Sequence, residues 1–238
     1  MTQSTLVQNW QQVTKQIEAA RQHCAGQPVT LLAVSKTKPA DTIVTLAQAG
    51  QKHFGENYLQ EAVDKQHQVA KLLTKSEDGD VSSAPPIVWH YIGHIQRNKT
   101  KDIAEAFDWV HTIERDIIAK RLDAQRPSHL PKLNVLIQVN IDHEKSKSGC
   151  LPDELEALIA SIKGYGNLCL RGLMIIPSKE GSDAFERTKQ LFEQIKQAHP
   201  DLPNWDTLSM GMSADMADAI EQGSTMVRVG SAIFGARD

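Results

Sequence analysis

The chain is short of cysteine, of aromatic residues and of long apolar runs, and each shortage narrows what it can be. Its three cysteines, Cys24, Cys150 and Cys169, show no CxxC spacing and leave one over. Burial as small hydrophobes is therefore expected. No apolar stretch approaches the ~20 residues needed to cross a bilayer. The opening MTQSTLVQNWQQV lacks the basic start and apolar run of a signal peptide, so the expected setting is cytoplasmic. Neither charge dominates, with 26 Lys+Arg against 29 Asp+Glu and a formal net charge of -3. That balance excludes the clustered basic surplus of a nucleic-acid binder.

What is present is a repeated alternation over 238 residues. Leu6, Trp10, Val13, Ile17 and Cys24 recur at helical spacing, and Gly26 with Pro28 stops that first helix. PVTLLAVSK then reads as a strand buried on both faces, as in a parallel sheet. The strand-like runs continue as KHFGE, IVWHYIG, FDWVHTI, LNVLIQVN, LCLRGLM, DTLSMG and TMVRVG, with helix-like stretches between them. LPDELEALIASIKG shows the punctuation, with Pro152 in its first turn, Asp153 and Glu154 at its positive end, and Gly164 as stop. Eight such runs without a Gly-rich dinucleotide loop predict a (β/α)8 TIM barrel, a single domain over 1–238 with an additional N-terminal helix. The second strand is short, and little chain remains for the last helix. TKSEDGDVSSAPP, residues 74–86, reads as a mobile surface loop.

Barrel chemistry sits at the C-terminal strand ends. Lys36 directly follows the buried run LLAVS. An amine rising from an apolar wall is partly desolvated, which favours the neutral form that attacks a carbonyl; a lysine snorkelling from the rim is the plainer alternative. The loops after strands seven and eight, SMGMS (209–213) and VGS (229–231), offer glycine backbone and serine hydroxyls to a phosphate. Ser213 and Ser231 could equally be helix N-caps. Arg228, inside MVRVG, needs an acceptor if buried. A pyridine nitrogen would supply one, and a salt bridge to Glu56 or Asp206 would be the alternative. Lysine for an aldehyde, Gly/Ser loops for a phosphate and arginine for a ring nitrogen converge on pyridoxal 5′-phosphate (PLP). No metal site is expected: His90 and His94 fall on a strand and its loop, and HEKSK lacks the second histidine of a zinc-protease motif. Asn57, with Gln60 three residues later, resembles a helix cap pair.

With these residues assembled, the chain resembles the pyridoxal phosphate homeostasis proteins, the YggS/PROSC-type family, along nearly its whole length. AVSKTKP, FGENYLQE, WHYIGHIQRNK, QVNIDHEKSKSG, RGLM, LSMGMSADMADAI and VRVGSAIFG carry the resemblance in order. It implies a barrel similar to the N-terminal barrel of alanine racemase, with PLP as a Schiff base on Lys36 and Arg228 facing the ring nitrogen. It implies that Ser213, Gly230 and Ser231 hold the phosphate, that Asn57 approaches the ring, and that Met174 and Ser209 line the pocket. Gln96, Asn98, Lys99, Asn140, Glu144 and Lys147 match family motif positions, with a role in cofactor admission and release as the expectation. His94 departs from many relatives.

Three functions compete. A carrier would mask the reactive aldehyde and balance vitamin B6 and amino-acid pools, with apo PLP-enzymes as recipients and no catalytic residue. The alternative is a PLP-dependent racemase or decarboxylase, and the third is an aldolase using Lys36 directly. An arginine partner weakens the ring as an electron sink. Racemisation needs a second base, which in barrel racemases comes from a second domain across a dimer, and Tyr58, Tyr91 and Tyr165 are not evidently placed for it. An aldolase would leave Arg228 without its acceptor. The expectation is a non-catalytic, monomeric PLP carrier.

Overall fold

The computed structural model describes residues 2–24, 26–74, 85–178 and 183–235. Eight parallel strands close into one barrel in sequence order. The chain starts with α1 (Gln3–Gln22), then runs β1 (Thr30–Val34), α2 (Ala40–Gln48), β2 (His53–Glu56) and α3 (Leu59–Thr74). There follow β3 (Val88–Tyr91), α4 (Thr100–Ala106), β4 (Trp109–Ile113), α5 (Asp116–Gln125) and β5 (Leu133–Gln138). The second half holds α6 (Leu155–Lys163), β6 (Leu168–Met174), α7 (Ala184–Ala198), β7 (Thr207–Met212), α8 (Met216–Glu221), β8 (Met226–Val229) and the short α9 (Ser231–Phe234).

Seven of the eight strand runs read from the sequence contain their strand, and the seventh run, DTLSMG, stops one residue short of the end of β7 at Met212. The short second run gives a four-residue strand, and the last helix is a four-residue turn. Closure is made by β1 against β8, where Leu32 registers with Arg228. Ten of the residues expected in a mobile loop, 75–84, lie outside the described residues.

Strands buried on both faces explain the near-continuous apolar runs. Their outward side chains meet the helices: Val110, Val135, Ile137 and Leu173 join Ile103, Ile118 and Ile159 in one core. A second core gathers α1 (Leu6, Val13, Ile17) against Val227, Ile233 and Phe234. The extra helix is fixed there by polar bonds as well. Trp10 Nε1 donates to Gln51 Oε1 at 2.9 Å, and Asn9 Nδ2 to the Ile233 carbonyl at 3.1 Å. Cys150 is buried and Cys24 and Cys169 half-buried, all three as free thiols; burial pushes the Cys150 thiol up to about 12, so it stays neutral.

Inside the barrel, Leu32, Trp109, Leu136, Met174 and Met226 form a small apolar layer. The interior is otherwise polar to an unusual degree. It contains Arg228 and Ser209, both buried, and three histidines, His53, His90 and His111.

Candidate functional site

At the C-terminal mouth lies a cavity of about 360 Å3, within the size range of small-molecule sites. Seven of the eight residues predicted from the sequence line it: Lys36, Asn57, Met174, Ser213, Arg228, Gly230 and Ser231. Ser209 stands behind the wall, where its hydroxyl accepts from Arg228.

Arg228 points inward from β8. Its Nη1 donates to the Ser209 carbonyl at 2.9 Å and the Ser209 hydroxyl at 2.8 Å, and Nη2 to the Ile175 carbonyl at 2.8 Å. Among the described residues no carboxylate hydrogen-bonds to it, and both salt bridges considered from the sequence are corrected. Glu56 pairs with Lys65, and Asp206 with Arg171. Burial pulls the guanidinium down to about 10, with Asp215 opposing, so it remains charged at neutral pH.

The two serine loops meet. Ser213 Oγ accepts from Ser231 Oγ at 3.2 Å and from the Ala232 amide at 3.4 Å. Ser213 therefore does not cap its own following helix. Asp215 precedes that helix and its Oδ1 accepts instead from the Met212 amide. Gly211, at φ +92, needs glycine, because a Cβ there would stand 2.5 Å from Ala219 Cβ. Gly230 is different: its φ of -114 suits any residue, and an added Cβ would come only to 3.4 Å from the Val34 carbonyl. A larger side chain there fills the cradle without straining the backbone. Gly230→Leu is thus expected to weaken PLP by about tenfold or more while changing pyridoxal little, about 1.4 kcal/mol carried by the phosphate. Equal loss for both ligands, measured by fluorescence titration, would assign the loop to the fold.

The capping role considered for Asn57 is also corrected. Its Oδ1 is buried without a hydrogen-bond partner among the described residues, and Gln60 Nε2 reaches Asp64 at 3.3 Å. An unsatisfied amide oxygen beside a cavity is a place for a ligand donor.

A buried cluster that was not read from the sequence braces Lys36 from behind. Lys65 Nζ donates to Glu56 Oε1 at 2.8 Å, to Glu61 Oε1 at 2.7 Å and to the Ser35 carbonyl at 2.9 Å. Ser35 Oγ donates to the same Glu56 oxygen at 2.7 Å, and the Thr37 amide to Glu61 Oε1 at 2.6 Å. Both neighbours of Lys36 are therefore held, and Thr37 takes the left-handed conformation at φ 64. Burial raises the Glu56 carboxyl above its ordinary range, against the pull of Lys65 and Ser35.

The remaining motif residues stand apart from this cavity's lining. Gln96, Asn98 and Lys99 are exposed around a 3-10 turn. Asn140 braces the loop after β5, donating to the Glu144 carbonyl at 2.8 Å and accepting from its amide at 3.1 Å. Lys147 lines a separate, open hollow with His94, Glu114 and Cys150. No cluster of metal-ligating side chains occurs among the described residues.

The residues fit PLP group by group: an amine for the aldehyde, an arginine without an acid for the ring nitrogen, and a serine cradle for the phosphate. Fold and site together define a barrel of the alanine-racemase type, and residues 8–238 match the family described as alanine racemase, N-terminal domain. The alanine racemase of Corynebacterium glutamicum shares this fold at a TM-score of 0.66 and 16% identity, over 99% of this chain and 61% of that one. A pyridoxal phosphate homeostasis protein of Vibrio cholerae is 49% identical over 98% of this chain and 97% of its own length. PipY of Synechococcus elongatus, solved with PLP bound, matches at 30% identity and a TM-score of 0.79, covering 97% of this chain and 100% of that one. The chain belongs to the pyridoxal phosphate homeostasis protein family.

Proposed function

We propose that this chain is a PLP-holding protein of vitamin B6 homeostasis, one domain over residues 1–238 that keeps the cofactor in Schiff-base attachment to Lys36 and does not turn over a substrate. The observation that carries the proposal is the convergence of Lys36, Arg228 and the Ser213–Ser231 cradle on one cavity. When bound, PLP supplies an aldehyde for an amine and a ring that withdraws electrons. Lys36 Nζ would hold the aldehyde, Ser213, Gly230 and Ser231 would hold the phosphate, and Arg228 would face the ring nitrogen. Asn57, Met174 and Ser209 complete the pocket.

Arg228 is what argues for storage over catalysis. Among the described residues its hydrogen bonds go to neutral oxygens and Asp215 acts on it without one, so its positive charge opposes protonation of a ring nitrogen beside it. An unprotonated ring is a poor electron sink. Two tyrosines are committed elsewhere, Tyr91 to the His94 carbonyl at 3.0 Å and Tyr165 to Asp116 at 2.5 Å. Tyr58 lies exposed beside Asn57 and does not line the cavity. The protein would act in the cytoplasm as a monomer, with apo PLP-enzymes as recipients of its cofactor.

The test is to incubate PLP-loaded protein with L- and D-amino acids in deuterated water and follow chirality, carbon dioxide and α-hydrogen exchange. Rates near background are expected. Sustained racemisation or decarboxylation at about one turnover per second, inside the ordinary enzyme range, overturns the storage reading in favour of an alanine-racemase-like enzyme.

A further inference from the structure

Three histidines from neighbouring strands form a continuous hydrogen-bonded chain inside the barrel. His53 Nδ1 lies 2.9 Å from His90 Nε2, and His90 Nδ1 lies 2.9 Å from His111 Nε2. His90 and His111 are fully buried, whereas His53 is half-buried at the start of β2. His90 also stacks on Trp109, with ring centroids 5.3 Å apart and planes 16° from parallel. At the inner end, His111 Nδ1 is buried with no hydrogen-bond partner among the described residues.

A neutral imidazole has one N–H and one lone pair. Both His90 nitrogens face another imidazole, so a neutral chain has only two proton arrangements. In the first, every proton is on Nδ1, and His111 ends the chain with a buried N–H that has no acceptor. In the second, every proton is on Nε2. His111 then presents a bare lone pair, and the His53 N–H emerges at the half-buried end, where water can accept it.

The charged groups acting on the chain decide between them. Arg228 is the cation that acts on His111; Asp215 acts on Arg228 in turn, but no carboxylate hydrogen-bonds to it among the described residues. Lys52 acts on His53 from the opposite end, but it is exposed and screened by solvent. A proton on His111 Nδ1 would be a buried donor with no acceptor among the described residues, and the charge of Arg228 acting on this ring weighs against it as well. We infer that the three histidines form a polarised chain, Nε2–H throughout, whose negative end supports the buried charge of Arg228. His111, His90 and His53 are then positioning residues for the group that would face the ring nitrogen. Burial holds His90 and His111 well below the ordinary imidazole range, so the chain stays neutral. The consequence for PLP rests on the function proposed above, but the polarity does not.

The experiment is long-range 1H–15N correlation on histidine-labelled protein without ligand, where bare and protonated ring nitrogens resolve. All three rings are expected as Nε2–H, and His90 and His111 unchanged from about pH 5 to 8, across the usual imidazole transition. An Nδ1–H form or an imidazolium at His111 overturns the inference. Arg228→Gln removes the ordering charge, and His111 should then show mixed tautomers or titrate. Unchanged tautomers in that variant would reduce the chain to packing. Should that variant not fold, His53→Leu, which removes the outer acceptor, should mix the tautomers, and His53→Gln should restore order. Identical spectra from these two also overturn the inference. An Nε2–H chain in a protein that fails to bind PLP would refute the proposed function alone.

Discussion

Lys36→Ala is expected to yield a colourless protein whose affinity for PLP is lower by roughly 100-fold, or ~2.7 kcal/mol. The loss is large because the substitution removes the cavity-lining amine nearest the end of β1, two residues beyond Val34. Lys38, which also lines the cavity, comes two residues later, beyond the turn at Thr37. The phosphate cradle and Arg228 are untouched in this variant, so residual, reversible binding persists. Borohydride reduction of the parent protein should fix the cofactor to the peptide containing Lys36, identified by mass spectrometry. The same reducible chromophore at unchanged occupancy in Lys36→Ala would move the attachment to another lysine.

Lys65→Met is expected to cost about 3–5 kcal/mol of stability, the usual result of stranding one partner of a buried ion pair. Glu56 is 0% exposed and Lys65 5%, and Glu56 Oε2 already lacks a hydrogen-bond partner among the described residues. Without Lys65 the carboxylate keeps only the Ser35 hydroxyl. The double variant Glu56→Leu with Lys65→Met should recover most of the loss, because no charge is then left buried.

The pH dependence has a definite sign. Burial raises the Glu56 pKa in the folded protein above its ordinary 4.5, so the folded state binds this proton more tightly than the unfolded chain does. Its stabilising contribution is full below that value and is lost as pH rises through the folded pKa. Losing Lys65 raises the folded pKa further, so the penalty of Lys65→Met should shrink as the medium is acidified. Urea denaturation of both proteins at several pH values measures this. A penalty under about 1 kcal/mol at neutral pH would mean the pair behaves like an exposed one.

The barrel was legible because a strand covered on both faces must be apolar along its length, and Leu133–Gln138 or Leu168–Met174 cannot be read otherwise. Lys36 and Arg228 were legible for the converse reason, as charges placed against apolar runs. Lys65 was not. Within EAVDKQHQV it looks like a solvated helical lysine, and its one local signal is Glu61 a turn earlier. Its burial follows from how α3 docks over the ends of β1 and β2, which no local pattern encodes. The histidine chain was hidden more deeply, since His53, His90 and His111 become neighbours only once three strands stand side by side. Asn57 was ambiguous in the sequence, because its spacing to Gln60 also satisfies a capping pattern that the chain does not use.

The contact of α1 with the final turn has a consequence for the order of assembly. Asn9 holds the Ile233 carbonyl, and Gly230 approaches the carbonyl of Val34, so the cradle is made where the two ends of the barrel strand order join. The first seven strands can pair with near neighbours as they leave the ribosome. The eighth must find the first across almost the entire chain, a loop closure whose entropy is met last. A ligand seated in the cradle would bridge that seam and, by binding only the closed form, would stabilise the joined barrel with the logarithm of its concentration over its dissociation constant. Nascent chains that have just closed would then be the ones a small-molecule pool can select and hold.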